Sequence, residues 1–417
     1  MLGKLYANWM YRWETALTTR DENRIVRPLE WGFDFLEDYI DRRGLRARVF
    51  GPDGRPLSGD QEARQAMLRL GEDIVEHSDL FFGYQRPGDF RLEERHPQLF
   101  PTNVRPETLK QDAMLRQSAA EGRLPTARFL RFTSPIKTSY AENDQVNARW
   151  YPAPAHKQVG KPKQAIIVMP QWNADAFSHN ALCEIFNRFG VSALRLSKPY
   201  HDIRRPAELE RSDYAVSANI GRTISACRQA VVDIRCCMDW LETQGYAQFG
   251  VLGTSLGSCY AFIASAHDPR LQVNAFNHAS MNFGDVVWTG QSTRHIREAL
   301  EPVMTQQGLA DLWRCISPVS YMDKFSASSK RVLVIHATYD LTFRREFSMQ
   351  VLKSFQEYGL NFVSKVLPCG HYTTGETPYK FMDGWYLGSF VYSAFKEIAA
   401  APSPAAQDVE KPQLVAD

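Results

Sequence analysis

The stretch VLGTSLGS, residues 251–258, sets Gly253, Ser255 and Gly257 at alternate positions where an apolar strand pattern meets a helix pattern. A strand that turns sharply into a helix forces its corner residue into an unfavourable backbone conformation. It also brings the residues two places to either side almost into contact, so only small residues fit there. The pattern G-x-S-x-G is the sequence form of such a nucleophile elbow, which lifts a serine hydroxyl clear of the sheet and sets it at a helix N-terminus. Phe249 to Thr254 reads as the strand and Leu256 to His267 as the helix. The plainer reading is a glycine-containing turn with a bystander serine; no G-x-G-x-x-G occurs to support a dinucleotide fingerprint.

A serine hydroxyl is a weak nucleophile until a positioned base removes its proton, and that base works best when a carboxylate fixes its tautomer. Acid and histidine are therefore sought after the serine, each just past the carboxyl end of a later strand. After RVLVIHA comes TYDLTFRREF, which places Asp340 in such a loop; after FVSKVL comes PCGHYTTGE, which places His371 behind Gly370. Asp285 is the rival acid, because it follows an earlier strand, and Asp340 is preferred to it. Asp202 and Asp213 precede the serine and break the order, while His336 sits inside an apolar strand and His278 is a candidate to line a pocket.

Such a site also needs backbone N–H groups facing the oxygen that becomes negative. Leu256, the residue after the nucleophile, is one expected donor. The loop after QAIIVM reads PQWNAD, and since Pro170 has no N–H, Gln171 or Trp172 is the expected second donor. No HGGG motif stands there, and Trp172 has an equal claim as a pocket wall.

Positioning these residues calls for a sheet. Eight runs read as strands: 127–132, 146–151, 164–169, 191–196, 249–254, 271–276, 331–337 and 362–367. Helical patterns fall at 176–189, 218–244, 256–267, 343–358 and 379–397. The alternation predicts an α/β fold, a mostly parallel eight-stranded sheet with helices on both faces, over 127–399. Residues 1–126 read as a helical N-terminal extension, with one amphipathic helix over 2–17, a second running from Pro28 to a stop at Gly44, and shorter pieces near 60–78 and 106–120. Residues 400–417 read as a disordered tail.

The chain has 417 residues, 44% of them apolar, and 49 basic against 47 acidic side chains. It can bury a large core, and its near-neutral balance argues against nucleic acid as a partner. Seven cysteines without C-x-x-C spacing argue against a disulfide framework or a zinc site. No secretory leader and no apolar run of about 18 residues are visible, so a cytoplasmic protein is expected.

With Ser255, Asp340 and His371 in this order, residues 127–399 resemble the α/β-hydrolase superfamily. The segments KPYHDIRRP (198–206) and DWLETQGYAQFGVLGTSLGS (239–258) are similar to those of the α/β-hydrolase domain-containing protein 18 group, as is the N-terminal helical extension. The resemblance implies a serine hydrolase working by acyl transfer without a cofactor or metal, in the subgroup on a lipid ester. This sequence departs from commoner members in lacking His-Gly after the third sheet strand.

Two stretches bear on substrate. Residues 282–325 lie where a lid usually inserts and carry Trp288, Val303, Met304, Leu309 and Trp313; they read either as an apolar lid over an acyl or aromatic ester or as helices packed on the sheet edge. The loop 197–222 carries Lys198, Arg204, Arg205, Arg211 and Arg222, either an anion-recognition site or a solvated face. Tyr6, Trp9 and Trp13 offer a peripheral membrane contact, or else packing on the hydrolase domain or a second subunit. The expectation is a serine-dependent ester hydrolase acting on a small-molecule or lipid ester; an acyltransferase, a peptidase or amidase, and a binding protein on a hydrolase scaffold are its rivals.

Overall fold

The computed structural model describes residues 2–21, 23–57, 59–97 and 106–400. Its centre is a nine-stranded sheet in the order β1-β2-β3-β5-β4-β6-β7-β8-β9. The strands are β1 (Arg91–Arg95), β2 (Ala127–Thr133), β3 (Gln145–Tyr151), β4 (Lys163–Met169), β5 (Val191–Leu196), β6 (Tyr246–Thr254), β7 (Leu271–Asn277), β8 (Arg331–Ala337) and β9 (Phe362–Leu367). From β5 to β9 the neighbours run parallel, whereas β1, β2, β3 and β5 pair antiparallel in turn.

The ninth strand corrects the expected eight. Arg-Leu-Glu-Glu-Arg offers no apolar run, but it pairs with β2 at the sheet edge, where backbone bonds on one side hold a strand whose side chains face water.

Alternate residues of each central strand face opposite ways, so each face needs its own cover. Ala165, Ile167 and Met169 of β4 join the larger core with helices α3 (Ile220–Thr243), α4 (Leu256–Ala266) and α5 (Arg345–Glu357). Ile166 and Val168 join a smaller core with α2 (Asn180–Arg188) and α6 (Tyr379–Ala400). Helix α1 (Leu2–Thr19) enters that second core through Met10. The segment expected as a lid forms short helices, Phe283–Thr289, Arg294–Leu300, Gln306–Leu312 and Met322–Ser326, joined by 3-10 turns, with Leu309 and Trp313 fully buried.

The second N-terminal helix does not begin at Pro28. Residues 30 and 31 run alongside the start of α3, where their carbonyls accept the N–H groups of Ile220 (2.9 Å) and Gly221 (2.9 Å), donors with no partner within the helix itself. Only after Gly32, at φ 66°, does a 3-10 turn at Phe33–Leu36 lead into the helix Glu37–Arg42. The tail expectation falls, apart from Ala400, outside the described residues.

Helix α1 is docked and its buried face is rotated from the apolar one expected. Tyr6 packs edge-on against Tyr339 and Trp13 against Tyr379, while Trp9 remains 50% exposed. Two of the three aromatics considered for membrane contact are thus turned inward, in line with the alternative of packing on the hydrolase domain. Among the described residues no helix is long and apolar enough to cross a membrane.

Candidate active site

Ser255 stands at the corner between β6 and α4 with φ 57° and ψ −120°. A Cβ on Gly253 would fall on the Gly257 carbonyl, and one on Gly257 on the Met169 carbonyl, so both glycines answer a close approach of backbones. The corner is tied down by Ser255 N–H donating to the Asn277 carbonyl (2.7 Å) and by Ser258 Oγ donating toward the carbonyls of Ser255 (2.6 Å) and His278 (2.8 Å). Strain of this kind persists only where surrounding bonds fix it.

The three residues read from sequence come together. His371 Nε2 lies 3.0 Å from Ser255 Oγ, and its Nδ1–H donates to Asp340 Oδ2 at 2.9 Å. Asp340 is buried, and its other oxygen accepts the N–H groups of Thr342 (2.7 Å) and Phe343 (2.6 Å). The Phe343 ring stacks on His371 with centroids 5.3 Å apart and planes 3° from parallel.

His278, a pocket candidate in the sequence, reaches the same carboxylate. Its Nδ1 lies 3.0 Å from Asp340 Oδ2, a close contact with poor hydrogen-bond alignment, and its ring centre is 4.5 Å from that of His371. Burial pushes the His278 pKa down, and the adjacent His371 pushes the same way. Burial acts against the charged form of His371 as well, but Asp340 overrides it and raises that pKa. For Asp340, burial works against ionisation, yet His371 and His278 hold the carboxyl well below the usual range. Of two imidazoles on one carboxylate, the one that favours a proton is therefore the one touching the hydroxyl.

Among the described residues, His278, Asp340 and His371 are also the one cluster spaced closely enough to hold a metal, with ligand atoms within 4.8 Å of one another. Both nitrogens of His371 are engaged, by Asp340 and Ser255, while those of His278 have no aligned hydrogen-bond partner. Asp285, the rival acid, lies in the helix Phe283–Thr289 and accepts a bond from Gln306 (2.8 Å).

The hydroxyl faces a cavity of about 1200 Å³. Leu256, Gln171 and Trp172 all line it. The N–H of Leu256, first in α4, has no intrahelical acceptor. The opposing loop is held by Lys198 Nζ donating to the Gln171 carbonyl (2.9 Å) and Trp172 Nε1 donating to the Ser212 carbonyl (3.0 Å); the Trp172 ring stacks near His295 and so also serves as wall. Phe283, Val286 and Val287 bring apolar surface from the inserted segment, and Leu182 and Ile185 of α2 and Phe189 just after it bring it from the other side. Trp288, expected here, packs against the larger core and does not line the cavity.

The arginine loop is corrected too. Arg204 is fully buried, 2.8 Å from Asp233, and donates to the carbonyls of Asn143 (2.7 Å) and Ser197 (2.9 Å). Arg211 pairs with Asp21 (3.0 Å) and Asp213 (3.3 Å), Arg205 donates to the Glu210 carbonyl, and Arg222 lies 3.9 Å from the centre of the Tyr214 ring. None of these lines the cavity. A carboxylate needs a partner on leaving water, and here the loop's own cations meet internal partners rather than an outside anion.

Sequence reasoning passed over Asp383 and Glu14. Asp383 lines the cavity from α6, accepts both bonds offered by Asn277 Nδ2 (2.9 and 3.0 Å), and has its pKa pushed up to about 7 by burial. A lone acid among the aromatic residues of the last helix was the available signal. Glu14 is fully buried and bonds the loop after His371.

No protein-family model and no curated protein matches the sequence. Among solved structures, acetyl xylan esterase 1 from Thermoanaerobacterium sp. JW/SL YS485 is similar at TM-score 0.50 and 14% identity, over 85% of this chain and 98% of that one. The acylaminoacyl peptidase of Pyrococcus horikoshii is similar at 0.48 and 11%, over 67% of this chain and 47% of its own, so the chain spans about half of that protein. The esterase Pf2001 of Pyrococcus furiosus stands at 0.43 and 11%, over 64% and 90%. Together with the mostly parallel sheet and the serine corner after β6, the likeness to the xylan esterase shows that this chain has the α/β-hydrolase fold.

Proposed function

We propose that the protein is a serine hydrolase that cleaves carboxylic esters through Ser255, His371 and Asp340. The observation that carries this reading is the continuous contact from Ser255 Oγ through both nitrogens of His371 to Asp340, at 3.0 and 2.9 Å. Ser255 Oγ attacks the ester carbonyl as its proton passes to His371 Nε2, and Asp340 holds the ring and balances the imidazolium. The carbonyl oxygen becomes negative and is met by the Leu256 N–H and an amide of Gln171 or Trp172. Collapse breaks the ester bond, the departing alcohol takes the proton from His371, and the acyl group remains on Ser255. Water, deprotonated by the same imidazole, then releases the acid and restores the hydroxyl.

Apolar walls beside the hydroxyl favour an ester of an acyl chain or an aromatic acid, in keeping with the lipid ester implied by the resemblance to the domain-containing protein 18 group. A fluorophosphonate probe should label the wild type at Ser255 and leave Ser255→Ala unlabelled, and short-chain p-nitrophenyl esters should be turned over only by the wild type. Folded wild-type protein that takes no label and cleaves no ester would end this reading.

A further inference from the structure

Helix α1 presents one stripe to the loops of the site: Tyr6, Met10, Glu14 and Thr18, spaced one helical turn apart. Tyr6 OH donates to the Pro368 carbonyl and lies 2.6 Å from Tyr379 OH, and the fully buried Met10 touches Thr373 through sulfur at 3.5 Å. Thr18 Oγ1 donates to Gln291 (2.7 Å), whose own N–H bonds the carbonyl of Leu341, next to Asp340. The strongest contacts are those of Glu14. Its Oε1 accepts Tyr372 N–H (2.8 Å), and its Oε2 accepts Thr373 N–H (3.0 Å) and Thr373 Oγ1–H (3.1 Å). That same hydroxyl accepts Gly370 N–H at 2.6 Å. Residues 370 and 372, on either side of His371, are therefore tied to one carboxylate, the first through Thr373 and the second directly.

We propose that Glu14 is a positioning residue for His371, and that through it α1 clamps the imidazole in register with Ser255. The proposal rests on the triad reading above. A carboxylate suits the place because every group it meets there is a donor and it offers acceptors alone. An amide of the same shape would turn an NH2 toward those N–H groups. Gly370 belongs to the same device, since a Cβ there would fall on the Glu14 carboxylate.

The clamp has an electrical side. His371 is faced by Asp340 from the loop after β8, by His278 from the end of β7 and by Glu14 from α1. Glu14 in turn faces Asp340 and His371, and its charge also bears on the Cys369 thiol. Burial raises the pKa of Glu14. Where it is ionised, it adds to Asp340 in favouring the imidazolium, so its removal lowers the pKa of His371.

The test uses the full chain with Glu14→Gln, Glu14→Asp, Glu14→Ala, Gly370→Ala and the Glu14→Ala/Gly370→Ala pair, each checked for folding. It reads fluorophosphonate labelling rate, kcat and KM against pH on a p-nitrophenyl ester, and the His371 titration by NMR of labelled histidine. We expect Glu14→Gln to lose on the order of 10- to 100-fold, carried by kcat rather than KM. The acid limb of kcat/KM and the NMR pKa should both move to lower pH, because only neutral His371 accepts the serine proton. Glu14→Asp should recover part of the rate and most of the pKa. Gly370→Ala should slow the wild type but add little to Glu14→Ala, because the displaced group is then gone. A folded Glu14→Gln protein with unchanged rate and unchanged His371 pKa overturns the proposal. So does a rate loss with no change in pKa and no recovery in Glu14→Asp, the pattern of a purely structural contact. If the wild type takes no label while the His371 pKa still falls in Glu14→Gln, the hydrolase reading fails and the clamp stands.

Discussion

The loop 197–222 and the two loops carrying Asp340 and His371 are both rich in buried ionisable groups, yet only the second pair leaves a reactive atom facing the cavity. In the first, Arg204 meets Asp233 and Arg211 meets Asp21 and Asp213, with all five side chains shielded from water. Burial raises the carboxyl pKa of both Asp233 and Asp213. In the second, one carboxylate serves two imidazoles, and the imbalance leaves His371 Nε2 for the serine hydroxyl. A buried charge closed off by buried partners ends in structure; a chain of donors with one terminus on a cavity can pass a proton.

The widest gap between the two regions should appear with Asp340→Asn. The amide keeps the fold but supports the wrong histidine tautomer, and kcat should drop on the order of 10³- to 10⁴-fold in p-nitrophenyl ester assays. A loss below tenfold would show that His371 does not depend on this carboxylate. Next comes Arg204→Met, which strands Asp233 in the interior. Unfolding in urea should reveal a destabilisation of about 3–5 kcal/mol, while the rate per folded molecule stays at the wild-type level. Should activity fall and stability hold, the loop would have to be moved to the functional side of the comparison.

The smallest effect is expected at Asp383, a charge of the cavity wall that belongs to neither group. Its folded pKa of about 7 lies above the ordinary carboxyl value of 3.8, so the folded state binds the proton more tightly than the unfolded state. Its contribution is present at low pH and is lost as pH rises through about 7. Asp383→Asn removes that loss. Melting curves should coincide with the wild type near pH 4 and lie about 1–3 °C higher at pH 8. Equal shifts at both pH values would assign the effect to packing instead of to charge.

Much of this arrangement can be read from residues alone. Apolar runs such as QAIIVM and RVLVIHA mark central strands because both sides of those strands are buried, and Asp340 falls in the loop after RVLVIHA; His371 follows FVSKVL, the strand at the far edge of the sheet. Strand β1 escaped notice because an edge strand is held by its backbone and its side chains carry no burial signal. The start of the second N-terminal helix was misplaced because Pro28 suits a first helical position, while the chain there is committed to covering the N-terminus of α3. Arginines of the loop 197–222 were misjudged for a related reason: a count of charges carries no information on which acids, such as Asp21 or Asp233, meet them. Glu14 lay hidden in a pattern judged by apolar residues, since a charged group on the inner stripe is accounted for only by the N–H groups of a loop far along the chain.

The bond between Glu14 and Tyr372 joins positions 358 residues apart. The ordering cost of so long a loop is offset only when the sheet between its ends already holds them near each other, so we expect this contact to form late in folding. On that expectation, catalytic competence follows compaction of the bulk of the molecule. A refolding chain should regain its overall tryptophan fluorescence before it regains its reactivity toward a serine-directed probe.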